Sequence, residues 1–142
     1  MFAELKHYKN TDHFFFQSGQ NLKEQSKDAP DLPGVYYIMR LAKGNIDLVY
    51  IGKAGAISQN GQFKEQGLRG RINNQQDGMP RQEFFEKKIR AEKIDGLDIY
   101  WFVTFDKQHR DLPAYVEGLL IQRHSELYGR LPEWNKEYSK KR

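Results

Sequence analysis

The pattern of apolar and polar positions predicts three strands, two of them joined as a hairpin. Residues 35–39 and 47–51 are rich in β-branched and aromatic side chains, and Lys43-Gly44-Asn45 between them supplies turn residues. Residues 97–105, with the sequence LDIYWFVTF, form the most apolar run, and we expect them at the centre of the sheet.

Helical periodicity predicts three helices around these strands. The first spans residues 62–74 and ends before Asp77-Gly78. The second begins near Pro80 and has an apolar face that includes Phe84, Phe85 and Ile89. The third has Asp111 as its N-cap, Pro113 in its first turn and Gly129 as its C-cap, with an apolar stripe of Val116, Leu119, Leu120 and Leu127. The predicted class is α/β of the α+β type, a small sheet with helices packed on it.

The domain boundaries follow from the turn signal at residues 29–34, APDLPG. A chain of 142 residues is expected to form one domain. Residues 1–32 are interpreted as an N-terminal extension packed on the domain, 33–136 as the domain itself, and 137–142 as a basic tail. Within the extension, Phe14-Phe15-Phe16 is either a short strand or plug on the core, or a docking surface for a partner.

Composition excludes several classes of protein. The chain is 38% hydrophobic and 30% charged, with a mean hydropathy of −0.85, and no apolar run approaches the ~20 residues that span a bilayer. It has no cysteine, which excludes disulfides, a cysteine nucleophile and cysteine-ligated zinc. The N-terminus lacks the layout of a secretory signal, so we expect a cytoplasmic protein without a membrane partner. A net charge of +4 permits a phosphate-rich partner without requiring one.

Two strand tyrosines are the first candidates for chemistry. Tyr36 and Tyr50 each have a glycine two residues away, Gly34 and Gly52, and glycine weakens a strand unless something approaches closely. Packing is the ordinary role of a strand tyrosine. Near a phosphate, however, two phenols can hydrogen-bond a nucleophilic water or nonbridging oxygens. Lys53, at the end of the strand, is expected to lower the pKa of Tyr50 and so favour it as a general base.

Charged residues on two predicted helices extend this set. The planar fork of Arg71 suits a phosphate, and Arg69 is the alternate. Glu117 lies in an otherwise apolar helical segment, where a carboxylate must be paired or bind a cation. It is therefore expected either to form an ion pair with Arg123 or Arg71, or to hold a divalent cation such as Mg²⁺ together with water and substrate phosphate.

The closing segment contributes Asn135, whose amide either positions a phosphate oxygen or orders the terminal loop. The neighbouring Trp134 is interpreted as a core anchor. The histidines show no metal-ligand spacing, and no phosphate-binding glycine loop, zinc-protease motif or nucleophile elbow is present.

In this order the motifs resemble those of the GIY-YIG nuclease family, over residues 33–136. Residues 117–124 together with Asn135 are similar to the nickase domain of the bacterial excision-repair endonuclease. The resemblance implies a three-stranded antiparallel sheet flanked by helices, one Mg²⁺ or Mn²⁺ held by Glu117, and hydrolysis of phosphodiester bonds, with DNA as the expected substrate. The implied catalytic residues are Tyr36, Tyr50, Lys53, Arg71, Glu117 and Asn135.

The chain departs from the family pattern in ways that leave alternatives open. Gln75 stands where many members carry histidine or tyrosine, so Tyr50 or Tyr36 must act instead. The segment between Lys53 and Arg71 is longer than in the repair nickase. Most members carry further DNA-binding domains, whereas here we expect only residues 1–32 to be available beside the domain. Sequence recognition is therefore expected to come from the domain itself or from a partner chain, or to be absent. A nucleic-acid-binding module without turnover, a subunit that depends on a partner, and a homodimer are the alternatives.

Overall fold

The computed structural model describes residues 2–62 and 66–136, so the predicted basic tail lies outside the described residues. In the described part of the chain, no helix is long and apolar enough to cross a membrane. The predicted α+β class is confirmed.

The main sheet is antiparallel and has four strands rather than the three that the resemblance implied. Its order is β1-β6-β2-β3, with the bounds Thr11–Phe16, Gly96–Val103, Gly34–Ala42 and Asn45–Ala54. The extra strand comes from the N-terminal extension: β1 pairs with β6 from Thr11 opposite Phe102 to Phe16 opposite Leu97. It covers an edge of β6 that would otherwise be unpaired. The predicted central position of the LDIYWFVTF strand is thereby confirmed.

The hairpin of β2 and β3 turns at Lys43-Gly44, as predicted. These two residues have φ angles of 53° and 77°, which suit a two-residue hairpin turn. Both strands extend beyond the predicted bounds, and this brings Gly34 and Lys53 into the ladder.

The helices are α1 (Leu22–Gln25), α2 (Leu68–Ile72), α3 (Arg81–Glu92) and α4 (Pro113–Tyr128), preceded by a 3-10 turn at Ala3–Leu5. The first predicted helix is too long. Residues 63–65 lie outside the description, and after α2 the chain forms a short hairpin, β4 (Gln75–Gln76) with β5 (Met79–Pro80). Asp77 and Gly78, both with positive φ, form the turn of this hairpin.

The start of α4 also differs from the prediction. Its N-cap is Leu112, because the carboxylate of Asp111 accepts a hydrogen bond from the Tyr8 hydroxyl instead of capping the helix. Leu127 is 76% exposed, whereas Ile121 and His124 complete the buried face. The predicted C-cap is confirmed, with Gly129 in the left-handed conformation.

Both faces of the sheet are covered. α2, α3 and Trp134 pack on the face that carries Tyr36, whereas α4 and the N-terminal segment pack on the face that carries Tyr37. Within Phe14-Phe15-Phe16, the strand interpretation is confirmed: Phe16 is fully buried, and Phe15 is 51% exposed on the other face. β3 is an outer strand of the sheet, and both α2 and α4 contact it.

Candidate functional site

The two tyrosines of the predicted motif lie together at the β2–β3 ladder. Tyr36 is paired with Gly52 in the register, and the ring centroids of Tyr36 and Tyr50 are 6.0 Å apart. A Cβ atom added to Gly52 would lie 2.6 Å from Cζ of Tyr36 and 2.8 Å from Cε2 of Tyr50. Only glycine leaves room for both phenols, which is the close approach that the sequence pattern indicated. Tyr36 is 1% exposed and lies deeper than Tyr50.

An arginine that the sequence reasoning missed completes this cluster. Arg81, the first residue of α3, is 2% exposed, and its Nη2 donates to Oη of Tyr36 at 3.1 Å. Its guanidinium carbon lies 5.4 Å from the centre of the Tyr50 ring. The available signal was its spacing: Arg81 precedes Phe84 and Phe85 by three and four residues, so it shares their inward face.

Glu117 is partly buried on α4 and has no ion pair within 4.0 Å among the described residues. The proposed pairing with Arg123 is wrong, because Arg123 binds Glu4 and Glu126 instead. Burial raises the pKa of the Glu117 carboxyl, and the positive charges of Lys53 and Arg71 lower it to a smaller extent. A carboxylate with nearby cations but no direct partner is suited to bind a ligand.

The two candidate arginines on α2 have different surroundings. Arg71 is partly buried, and its charge acts on both Glu117 and Tyr50. Arg69 is exposed. Arg71 is therefore the arginine that belongs to the cluster.

The expected effect of Lys53 on Tyr50 is wrong. The neighbouring Tyr36, followed by burial, holds the pKa of Tyr50 well above its ordinary value. The charge of Glu117 acts in the same direction, whereas Arg81 and Arg71 act against it. Because a raised pKa keeps a phenol protonated, Tyr50 is a neutral hydroxyl at neutral pH, able to donate and accept hydrogen bonds.

Asn135 lies beside β3, and its side-chain amide is already hydrogen-bonded to the protein backbone. Its Oδ1 accepts from the Ile51 backbone N–H at 3.0 Å, and its Nδ2 donates to the Ile51 carbonyl at 2.9 Å. The backbone N–H of Trp134 donates to the Val49 carbonyl at 2.8 Å. The terminal loop thus attaches to the free edge of β3, and the loop-ordering role of Asn135 is the one that this geometry provides. Trp134 is 5% exposed and packs edge-on against Phe84, which confirms it as a core anchor.

Together these residues form a site at the outer edge of the sheet with two phenols, one carboxylate and three cations. Among the described residues, none of the three cations forms an ion pair with an acidic side chain within 4.0 Å. Gln75 is exposed and its amide cannot act as a base. No group of three or more metal-ligating side chains occurs among the described residues, and Glu117 is the carboxylate whose charge acts on Tyr50. The cations are Lys53, Arg71 and Arg81.

Comparisons with known proteins found no match to this chain. No protein-family model matches the chain, no curated protein matches it, and no solved structure matches it.

Proposed function

We propose that this protein is a metal-dependent endonuclease that hydrolyses phosphodiester bonds in DNA. The observation that carries the proposal is Glu117: a partly buried carboxylate without an ion pair in the described part of the chain, beside Lys53 and Arg71. A structural carboxylate at such a position would be expected to have a direct partner. The order of the motifs along the chain, which resembles that of GIY-YIG nucleases, supports the same function.

The residues divide into roles by their exposure and charge. Arg71 and Lys53 are both partly exposed and are assigned to bind the scissile phosphate, since their charges complement it. Tyr50, as a neutral hydroxyl, is assigned to orient the attacking water. Tyr36 lies behind Tyr50 and supports it, and Asn135 acts indirectly by fixing the terminal loop to β3.

The implied Mg²⁺ or Mn²⁺ fits this set of residues. Glu117 would hold the ion, because one carboxylate, completed by water and substrate phosphate, is a common arrangement for magnesium. When bound, the ion neutralises charge on the phosphate group. The raised pKa of Glu117 fits this assignment, since a cation would remove the cost of burying the ionised carboxylate.

A nucleic-acid-binding module without turnover is the second candidate. It is favoured by the neutral state of Tyr50 and by Gln75, because neither residue is a ready general base at neutral pH. Such a module predicts salt-sensitive binding of nucleic acid without metal-dependent cleavage.

The test is cleavage of supercoiled plasmid at low salt with Mg²⁺, Mn²⁺ or EDTA, comparing the unmodified chain with Glu117→Gln. We expect nicking or linearisation that requires the metal, and a loss of at least about a hundredfold in Glu117→Gln, because the amide cannot hold the ion.

The matched control is Glu126→Gln, the same chemical change on an exposed residue of the same helix. It should cleave like the unmodified chain. Equal metal-dependent cleavage by Glu117→Gln and Glu126→Gln would contradict the proposal. Plasmid binding without cleavage in any metal would favour the binding module.

A further inference from the structure

The burial of Arg81 has no structural explanation in its immediate surroundings. Its side chain is 2% exposed, and its Nε and Nη1 are buried without a hydrogen-bond partner among the described residues. The only hydrogen bond of the guanidinium in this part of the chain is the one from Nη2 to Tyr36. No acidic side chain of the described residues lies within 4.0 Å of it.

The packing around Arg81 does not compensate for the cost of burying its charge. A guanidinium removed from water is costly unless an anion or a full set of acceptors replaces the water. Arg81 is also the first residue of α3, the end of a helix at which the dipole disfavours a cation. The aromatic rings around it, those of Tyr36, Tyr50 and Phe85 with centres at 5.7, 5.4 and 5.7 Å, offset only part of this cost. The described residues therefore supply no counter-charge for this guanidinium.

We propose that Arg81 is a positioning residue that acts through Tyr36 and Tyr50, and that an anionic phosphodiester group bound at Tyr50 balances its charge. This inference rests on the proposed function, since it concerns the same site and names an anionic group as the ligand of that site. Arg81 itself is assigned no direct contact with the ligand, because its side chain is 2% exposed and its Nη2 is hydrogen-bonded to Tyr36.

The hydrogen bond to Tyr36 explains how Arg81 acts. Because Nη2 donates to Oη of Tyr36, that oxygen is the acceptor on the inner side, and the hydroxyl proton of Tyr36 is free to point toward the site. The contact of the guanidinium with both rings fixes their relative orientation. Lys53 and Arg71 supply charge from the solvent side of the ligand, and Arg81 supplies it from inside the protein, where the lower dielectric strengthens its effect.

The experiment is a double-mutant cycle on the binding of a short DNA duplex, measured by fluorescence anisotropy in EDTA at low salt so that nothing is cleaved. The variants are Arg81→Met, Tyr36→Phe and the double variant. Each single change should weaken binding by about tenfold to a hundredfold, and the double variant should lose no more than the weaker-binding single variant. The thermal unfolding midpoint of Arg81→Met should equal or exceed that of the unmodified chain, because a buried unpaired charge has been removed.

Arg90→Met is the matched control, since it removes the same charge from an exposed position of the same helix. It should bind the duplex nearly as tightly as the unmodified chain. Arg81→Met binding as tightly as this control would overturn the inference, and so would losses that multiply in the double variant. A clearly lowered unfolding midpoint in Arg81→Met would assign the residue a structural role and also overturn it.

The same series separates this inference from the proposed function. Duplex binding with the expected coupling, but no plasmid cleavage in any metal, supports the anion site and contradicts the endonuclease. Metal-dependent cleavage with independent effects of Arg81 and Tyr36 supports the endonuclease and overturns the inference. An unmodified chain that binds neither the duplex nor inorganic pyrophosphate overturns it as well.

Discussion

Arg40 and Arg81 are two largely buried arginines close to β2. Among the described residues, Arg40 has carboxylate partners and Arg81 has none. Arg40, on β2, has 16% of its side chain exposed and donates to carboxylates on three different segments. Its Nη1 binds Glu92 at 2.7 Å and Glu133 at 2.9 Å, and its Nη2 lies 3.4 Å from Asp47. Arg81 is more deeply buried, yet has one phenol as its only hydrogen-bond partner in the described part of the chain.

Under the proposed function, the difference separates a structural charge from a functional one. Arg40 links three parts of the fold, because its three carboxylate partners come from α3, β3 and the terminal loop. These carboxylates also keep the charge of Arg40 in place, raising its pKa above the ordinary value. Among the described residues, Arg81 and Glu117 have no such partners, and the proposed function explains this by a ligand that interacts with both groups.

The largest effect is expected from filling the space between the two phenols. In Gly52→Ala the new Cβ would lie within 3 Å of both tyrosine rings, so one ring must move. We expect a loss of about 1–3 kcal/mol in the free energy of unfolding, together with loss of plasmid cleavage, because overpacking is costly and the site geometry is disturbed. Denaturant unfolding and the plasmid assay measure the two effects.

Gly96→Ala is the control for this change. Gly96 is also a strand glycine, but the nearest atom to an added Cβ is 3.5 Å away, an ordinary contact. Its stability should change by no more than about 0.5 kcal/mol. If Gly52→Ala behaved like Gly96→Ala in both assays, the tight packing of Tyr36 and Tyr50 would have no functional role.

The comparison of the two arginines predicts opposite effects on stability. Arg40→Met leaves Glu92 and Glu133 without their common partner, and we expect a loss of about 1–2 kcal/mol, limited because the surrounding carboxylates are partly exposed. Arg81→Met should not lower stability at all. Denaturant unfolding at low and high salt measures both variants, and added salt should reduce the loss for Arg40→Met. The distinction fails if Arg81→Met is clearly less stable than the unmodified chain.

Asn135 is the contrasting case of a polar side chain whose hydrogen bonds are made within the protein. Asn135→Ala removes both hydrogen bonds to the Ile51 backbone at the edge of β3, and should cost about 1–2 kcal/mol. Because the amide is occupied by the backbone, cleavage should fall only in proportion to the folded fraction and recover on cooling. Plasmid cleavage and circular dichroism at matched temperatures measure this. A loss of cleavage in fully folded protein would show that Asn135 acts on the substrate.

The sequence reveals groups that carry a local signature and misses those defined only by packing. Tyr36 and Tyr50 were singled out because each has a strand glycine two residues away, which indicates a close approach at that point. Glu117 was predictable because a carboxylate within an apolar run is conspicuous. Arg81 was missed because a basic residue in the first turn of a helix is ordinarily solvated, and only the packing of α3 on the sheet buries it. The pKa of Tyr50 was predicted in the wrong direction because burial and the distance to Tyr36 depend on the tertiary structure.

The smallest effect, and the most specific, is expected from the pH dependence of stability at Glu117. Its pKa in the folded protein is raised from the ordinary value of 4.5, first of all by burial. Ionisation therefore destabilises the folded protein: the contribution of the protonated carboxyl is fully present below pH 4.5 and is lost as the pH rises through the raised folded-state pKa. Glu117→Gln cannot ionise, so in EDTA it should be more stable than the unmodified chain at pH 7, and this advantage should shrink as the pH is lowered toward 4.5.

Glu126→Gln should show the opposite trend, because the pKa of Glu126 is lowered by its contacts with Gln122 and Arg123. Thermal unfolding of the three proteins across this pH range measures both trends. A Glu117→Gln variant that is less stable than the unmodified chain at pH 7 would mean that Glu117 is paired like the carboxylates around Arg40, and the distinction between a structural and a functional charge would no longer apply to it.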